Sequence, residues 1–152
     1  MTYAALPELK RRISTAYYAL FHFVLDEAGR ALIGTHNDLR RRRRTFGRSF
    51  SHAGIRAALE KVRGTSVDAS VADLLRPRGM AASTVVAPNF ARNLAAALSD
   101  VQGKRHDADY DLNKQFSGAD ARLLISRVRR VIADWHAANS TVDGDFKHAL
   151  YY

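Results

Sequence analysis

Apolar residues recur at steps of three and four along most of this chain, and that spacing is the strongest constraint on its fold. Leu6, Leu9, Ile13, Ala16, Leu20, Val24 and Ala28 form one such stripe. Phe90, Leu94, Ala97 and Val101 form another, and Leu124, Val128, Val131 and Trp135 a third. Residues so spaced share one face of an α-helix, whereas a strand would alternate them every second position. No stretch shows the strand pattern. The expected fold class is therefore all-α, a four-to-five-helix up-and-down bundle in which each helix buries one stripe.

Punctuation residues divide the helices. Pro7 suits a first helical turn, and Gly34 with Thr35 closes the first segment. Asn37 is a candidate cap for a second helix reaching about Val62, and Asn89 for a third. The residues DYDLNKQF then read as a loop. Ser117 followed by Asp120 resembles a capping box, with Asp in place of Glu, and opens a fourth helix. Between residues 64 and 88 small and polar residues dominate and two prolines appear. This reads as a long connection, with room for a short helix at 70–76. Residues 1–138 are thus expected to form a single domain, and 139–152 a polar tail that is loose or docks on a partner.

On a helical wheel across the second segment, Phe46, Phe50, Ala53 and Ala57 fall together. Arg41, Arg44, Arg48 and His52 lie opposite, on a side that continues into Ile55, Leu59 and Val62. That second apolar patch is expected to be covered by the long connection or by another subunit, unless Gly54 breaks the helix.

The 152 residues carry 24 Lys and Arg against 15 Asp and Glu, a net charge of +9. Such an excess fits a polyanionic partner such as RNA or a nucleotide; it also fits an arginine-rich coding bias. The run LRRRRR over residues 39–44 holds five consecutive arginines. Arg40, Arg41, Arg44 and Arg48 are the candidate nucleic-acid contacts, of the phosphate-binding kind that carries no sequence information. A solvated basic face is the competing reading. There is no cysteine, so disulfides and thiolate metal sites are excluded. No signal peptide or membrane span is expected, nor any metal or cofactor, and the chain is expected to be soluble and cytoplasmic. Phosphate-binding loops, dinucleotide-binding glycines, nucleophile elbows and HExxH are absent from the sequence.

Two clusters carry groups suited to proton and phosphate chemistry. Metal-independent RNA cleavage needs a group that takes the 2′-hydroxyl proton, one that protonates the leaving oxygen, and a cation on the phosphate. Histidine suits the first two and arginine the third. Arg48 and His52, at i,i+4, fit by type. So do Arg105, His106, Asp109 and Tyr110 in KRHDADYDL, residues 104–112, where Arg105 and Asp109 are spaced for an ion pair and His106 and Tyr110 share the next face. A helix-end network joining the third helix to the first accounts for the same residues. On the first helix Tyr18 and His22 are also i,i+4, placed to face a common cleft or to join the core together with Tyr17.

Two segments resemble the HEPN-domain proteins. RRISTAYYALFHFVLDEAGRALIG, residues 11–34, is similar to that family's first helix, with its "R-x-A-Y-Y-A-x-F-H" pattern. KRHDADYDL resembles its "R-x-x-A-D-Y-D-P" segment at the end of the third helix. TFGRSFSHAG, residues 45–54, is similar to the "Y-R-A-L-D-H-G" element of one bacterial branch. The resemblance spans about residues 9–138. It implies a bundle that forms a homodimer, and, for many members, metal-independent ribonucleases of toxin–antitoxin, phage-defence or RNA-processing systems. Their partner is often a nucleotidyltransferase-type antitoxin. Their active site is an Arg-x(4–6)-His motif near the end of the third helix, with two copies meeting across the dimer cleft. This sequence departs from that motif. After Arg105 the nearby histidine is the adjacent His106, and Asp109 or Tyr110 stands at the downstream position. Arg48 and His52 are one residue short of the spacing and lie on the second segment. The alternative is a non-enzymatic interaction module that dimerises and binds a protein through Ile55, Leu59 and Val62.

Overall fold

A computed structural model describes residues 5–64, 66–67, 72 and 86–138. The described residues form five α-helices: α1 (Ala5–Ile33), α2 (Arg40–Arg48), α3 (His52–Arg63), α4 (Asn89–Tyr110) and α5 (Gly118–Ala137). A 3₁₀ turn, Asn37–Leu39, precedes α2. No strand occurs among them, so the all-α bundle read from the sequence is what forms. The short helix expected at 70–76 falls almost wholly outside the described residues, and the tail beyond 138 entirely so.

The long helix α1 packs against α2, α4 and α5. Its stripe is the expected one: Leu9, Ile13, Ala16, Leu20, Val24 and Ala28 are buried, and Tyr17 and Phe21 extend the buried face. The run α1–α4–α5 goes up, down and up. At one end Ser14 Oγ donates to Asp109 (3.0 Å) and Lys10 Nζ to the Asp111 carbonyl (3.0 Å). At the other, Trp135 packs on Phe90, with ring centroids 5.3 Å apart, and its indole N–H donates to Glu27 Oε2 at 2.8 Å. Trp135 is fully buried, so this bond satisfies a donor that water cannot reach.

Local chemistry sets the ends. Gly34 closes α1 at φ +107°, with its N–H on the Arg30 carbonyl (3.1 Å). Side chains rarely adopt that conformation, and a Cβ there would also meet Leu39 at 3.1 Å. The capping box is present: Ser117 accepts from Asp120 N–H (3.0 Å), and Asp120 accepts from Ser117 N–H (2.9 Å). Two expected caps differ. Pro88, not Asn89, is the N-cap of α4, and its carbonyl takes the first helical N–H groups. Asn37 opens the 3₁₀ turn instead of α2, whose N-cap is Leu39. The expected loop also starts later, because α4 runs through Asp109 and Tyr110.

The second segment is not one helix. It breaks at Ser49–Ser51, because Ser51 turns extended (ψ 154°) and its Oγ accepts from Gly54 N–H at 2.9 Å. Gly54 therefore lies inside α3 and serves the cap: a Cβ there would crowd Ser51 Oγ at 3.1 Å. Wheel angles do not carry across this break. Ile55, Leu59 and Val62 form the buried face of α3, which packs on α4, so they are core and not a surface for a partner. Phe46 and Phe50 meet edge to face, 4.8 Å between ring centroids; Phe46 is half-buried and Phe50 is 40% exposed. The alternative of a protein-binding Ile55–Leu59–Val62 face is corrected by this burial.

Leu59→Ala should therefore lower unfolding free energy by about 2–5 kcal/mol, the usual cost of emptying a packed leucine site. Leu123→Ala, at a 73% exposed position, should stay within about 0.5 kcal/mol. Denaturant unfolding of both variants checks this, and a near-neutral Leu59→Ala would contradict the assignment of α3 to the core.

Candidate functional site

The break between α2 and α3 shapes a cleft. α2 presents one face toward α1, and α3 begins with His52 at the cleft's end. The cleft holds about 720 Å³ and is lined by Phe21, His22, Leu25, Asp26 and Arg30 of α1, Arg40, Arg43, Arg44, Gly47 and Arg48 of α2, and Phe50 and His52. Five arginines and two histidines thus face one carboxylate.

The five arginines are not equivalent. Arg30 donates to Asp26 at 2.7 Å, one turn earlier on α1. Arg43 donates to the carbonyls of Gly34 (2.7 Å) and His36 (3.0 Å), fixing the connection between α1 and α2. Arg40, Arg44 and Arg48 form no ion pair among the described residues. They stand four residues apart, so their side chains follow one face of α2. Three unpaired guanidinium groups in one concavity repel one another and attract an anion with several negative oxygens. Of the expected contacts, Arg41 is off the cleft: its position on α2 turns it to the solvent side. Arg30 and Arg43 line the cleft without having been singled out in the sequence; i,i+4 spacing to Asp26 signalled Arg30, while the role of Arg43 depends on the chain reversal at Gly34.

His52 is built into the end of this cleft by contacts with α1. Its ring stacks on Phe21 (centroids 4.0 Å, 22°) and its Nδ1 is hydrogen-bonded to the Tyr17 hydroxyl. Burial, helped by the positive charge of Arg105 and by His22, holds the His52 pKa below its ordinary 6.5. Burial likewise raises Tyr17 above its usual 10, against the opposing pull of Arg105. Both partners are consequently neutral near pH 7. The bond has two forms: the phenol donates to Nδ1 and leaves the ring proton on Nε2, or Nδ1–H donates to the phenol oxygen and leaves the Nε2 lone pair free.

Arg105 comes from α4 and sits over the Tyr17 and Tyr18 rings, 5.2 and 5.1 Å from their centroids, a cation–π arrangement. Its Nε is 3.1 Å from Asp109, an ion pair whose N–H is not aimed along a hydrogen bond. Asp109 in turn accepts from Ser14. KRHDADYDL is thus the network joining α4 to α1, as one of its two sequence readings had it. Its other members point elsewhere: His106 packs against Tyr110 at 4.9 Å, and Tyr110 is 70% exposed. The sequence pairs are therefore re-sorted. Arg48 and His52 end up on two different helices yet line one cleft. Arg105 joins the Tyr17–His52 cluster, while His106 and Tyr110 do not line the cleft. His22, exposed and stacked against Tyr18 (6.2 Å, 23°), completes the set.

Among the described residues no group of three His, Cys, Asp or Glu is gathered to hold a metal. None of the described helices is long and apolar enough to cross a membrane. The chain matches no family model, no curated protein and no solved structure.

The depressed pKa of His52 has a sign that can be checked. Unfolded, the imidazole takes its proton near pH 6.5; folded, it resists until lower pH. The unfolded chain binds more protons within that window, so stability should fall as pH drops through it. Titration of the His52 ring by NMR should give a midpoint below 6.5. A midpoint above it would contradict the buried, cation-flanked setting described for this ring.

Proposed function

We propose that this chain is a HEPN-like RNA-binding protein of the toxin–antitoxin or defence type, holding RNA phosphates in the cleft between α1 and α2. The observation that carries the reading is the row Arg40, Arg44 and Arg48: three guanidinium groups without carboxylate partners among the described residues, in a cleft of about 720 Å³ shared with His22 and His52. Arginine forks bind phosphate oxygens in pairs, and a concave row follows a strand backbone better than scattered surface charge. The exposed Phe50 ring at the cleft adds a face on which a base can stack. The HEPN-like character rests on the AYY and ADYD elements of the sequence, and a second copy of the chain and a nucleotidyltransferase-type antitoxin are the protein partners that this resemblance adds.

Salt dependence tests the reading. Three arginine–phosphate contacts on a single strand give a slope of about −2 for log K against log salt. Arg44→Ala/Arg48→Ala should weaken binding and reduce that slope to about −0.7. Arg41→Ala/Arg42→Ala removes the same charge away from the cleft and should leave affinity much closer to wild type. Equal losses in the two double variants would reduce the cleft to general surface charge, and no RNA binding at low salt would overturn the reading.

A further inference from the structure

A second concavity shares no residue with the cleft. It is a groove of about 400 Å³ between the N-terminal half of α1 and α5. Thr15, Ala16 and Ala19 of α1 and Ile125, Val128 and Ile132 of α5 floor it. Small side chains on one wall and branched ones on the other leave an apolar trough. Ala19 is exposed, and Ile125 and Ile132 pack on the core while staying only half-buried. Three arginines stand at the rim. Arg12 pairs with Glu8 at 3.1 Å, whereas Arg11 and Arg129 form no ion pair among the described residues. An apolar floor beside unpaired cations fits a peptide that brings apolar side chains together with carboxylates.

The chain carries such a peptide next to the groove. α5 ends at Ala137, and Ala138 takes φ −74° and ψ 73°, close to the inverse γ-turn conformation, which bends the chain out of the helix axis. Residues 139–152 follow, with the sequence NSTVDGDFKHALYY. In a chain of net charge +9 this stretch has two aspartates against one lysine. Val142, Phe146 and Leu150 supply apolar side chains at regular intervals. We propose that residues 139–152 dock in the groove between α1 and α5, with Phe146 and Leu150 against Ala19 and Ile125 and with Asp143 and Asp145 meeting Arg129. The lengths allow it. Arg129 lies about 14 Å back along α5 from Ala138, and Ile125 about 20 Å. Extended backbone covers about 3.3 Å per residue, so Asp145 can reach about 23 Å from Ala138 and Phe146 about 26 Å. Linkage to α5 also makes the docking intramolecular, at an effective concentration on the order of millimolar, which favours this occupant over one in solution. Exposed ion pairs contribute little, so the apolar contacts hold the segment and the aspartates set its direction. Docking there is independent of RNA in the cleft.

The test uses the full chain. It has no cysteine, so Tyr152→Cys carries a single nitroxide. That nitroxide should broaden the amide NMR signals of Arg12, Thr15, Ala19 and Ile125, and leave those of Arg56 and Glu60 on the exposed side of α3 sharp. Phe146→Ala should abolish the broadening in the groove. Arg129 is exposed, so Arg129→Asp should keep the fold and lower the broadening. Adding Asp143→Arg/Asp145→Arg to it should restore the broadening, which a merely structural role for Arg129 would not do. A mixture of nitroxide-bearing chain with isotope-labelled chain lacking the nitroxide should show none. Broadening confined to the last turn of α5 and the residues after it overturns the proposal. So does groove broadening that survives Phe146→Ala, or no recovery in the charge swap. Broadening in the mixture overturns it too, because a second copy's segment then fills the groove.

Discussion

The buried face of α1 is the constraint on which the other elements depend. Three helices, α2, α4 and α5, pack on α1, and its buried stripe runs from Leu9 to Ala28. Its aromatic residues are divided between two tasks. Tyr17 and Phe21 face inward and are almost fully buried, whereas Tyr18 and His22, one position further round, reach the surface. The stretch YYALFH therefore carries core and cleft wall on the same two turns. Any displacement of α1 against α4 would move the Tyr17 hydroxyl away from His52 and Arg105 away from the tyrosine rings together.

Contacts between elements frame the cleft. Arg105 and Asp109 tie α4 to α1, Tyr17 and Phe21 tie α3 to α1, and Arg43 ties α2 to the chain reversal after α1. Half-buried groups thereby meet partners from other elements, and Arg40, Arg44 and Arg48 are left without an ion-pair partner among the described residues. A bundle gains no stability from three unpaired guanidinium groups on one face. A ligand that brings its own negative oxygens offsets their repulsion, and binding is the consequence expected of such a surplus.

Much of the bundle was legible in the sequence because it rests on local periodicity. The stripes of α1, α4 and α5 and the Ser117–Asp120 capping box are properties of residues a few positions apart, and so is the Arg105–Asp109 ion pair. The break between α2 and α3 was not legible. Thr45–Gly54 has no proline, and Ser51 can continue a helix or cap a new one; what decides is the burial of Ile55, Leu59 and Val62 on α4, more than thirty positions away in the chain. For the same reason Phe50, which the wheel groups with Phe46, Ala53 and Ala57, ends at the surface. In the cleft, the i,i+4 row Arg40–Arg44–Arg48 was readable, but the meeting of Tyr17 with His52 joins residues 35 positions apart and has no local signature. Asn89 failed as a cap because the preceding Pro88 already holds the extended geometry a cap requires.

The most direct test of the central claim is where RNA touches the chain. Photo-crosslinking of a bound RNA strand, followed by peptide mapping, should place the adducts at His22, Phe50 and the Arg40–Arg48 face of α2. Adducts concentrated instead on the arginines of α5, with the cleft residues unlabelled, would show that the positive charge of this protein attracts RNA elsewhere and that the cleft is not its binding site.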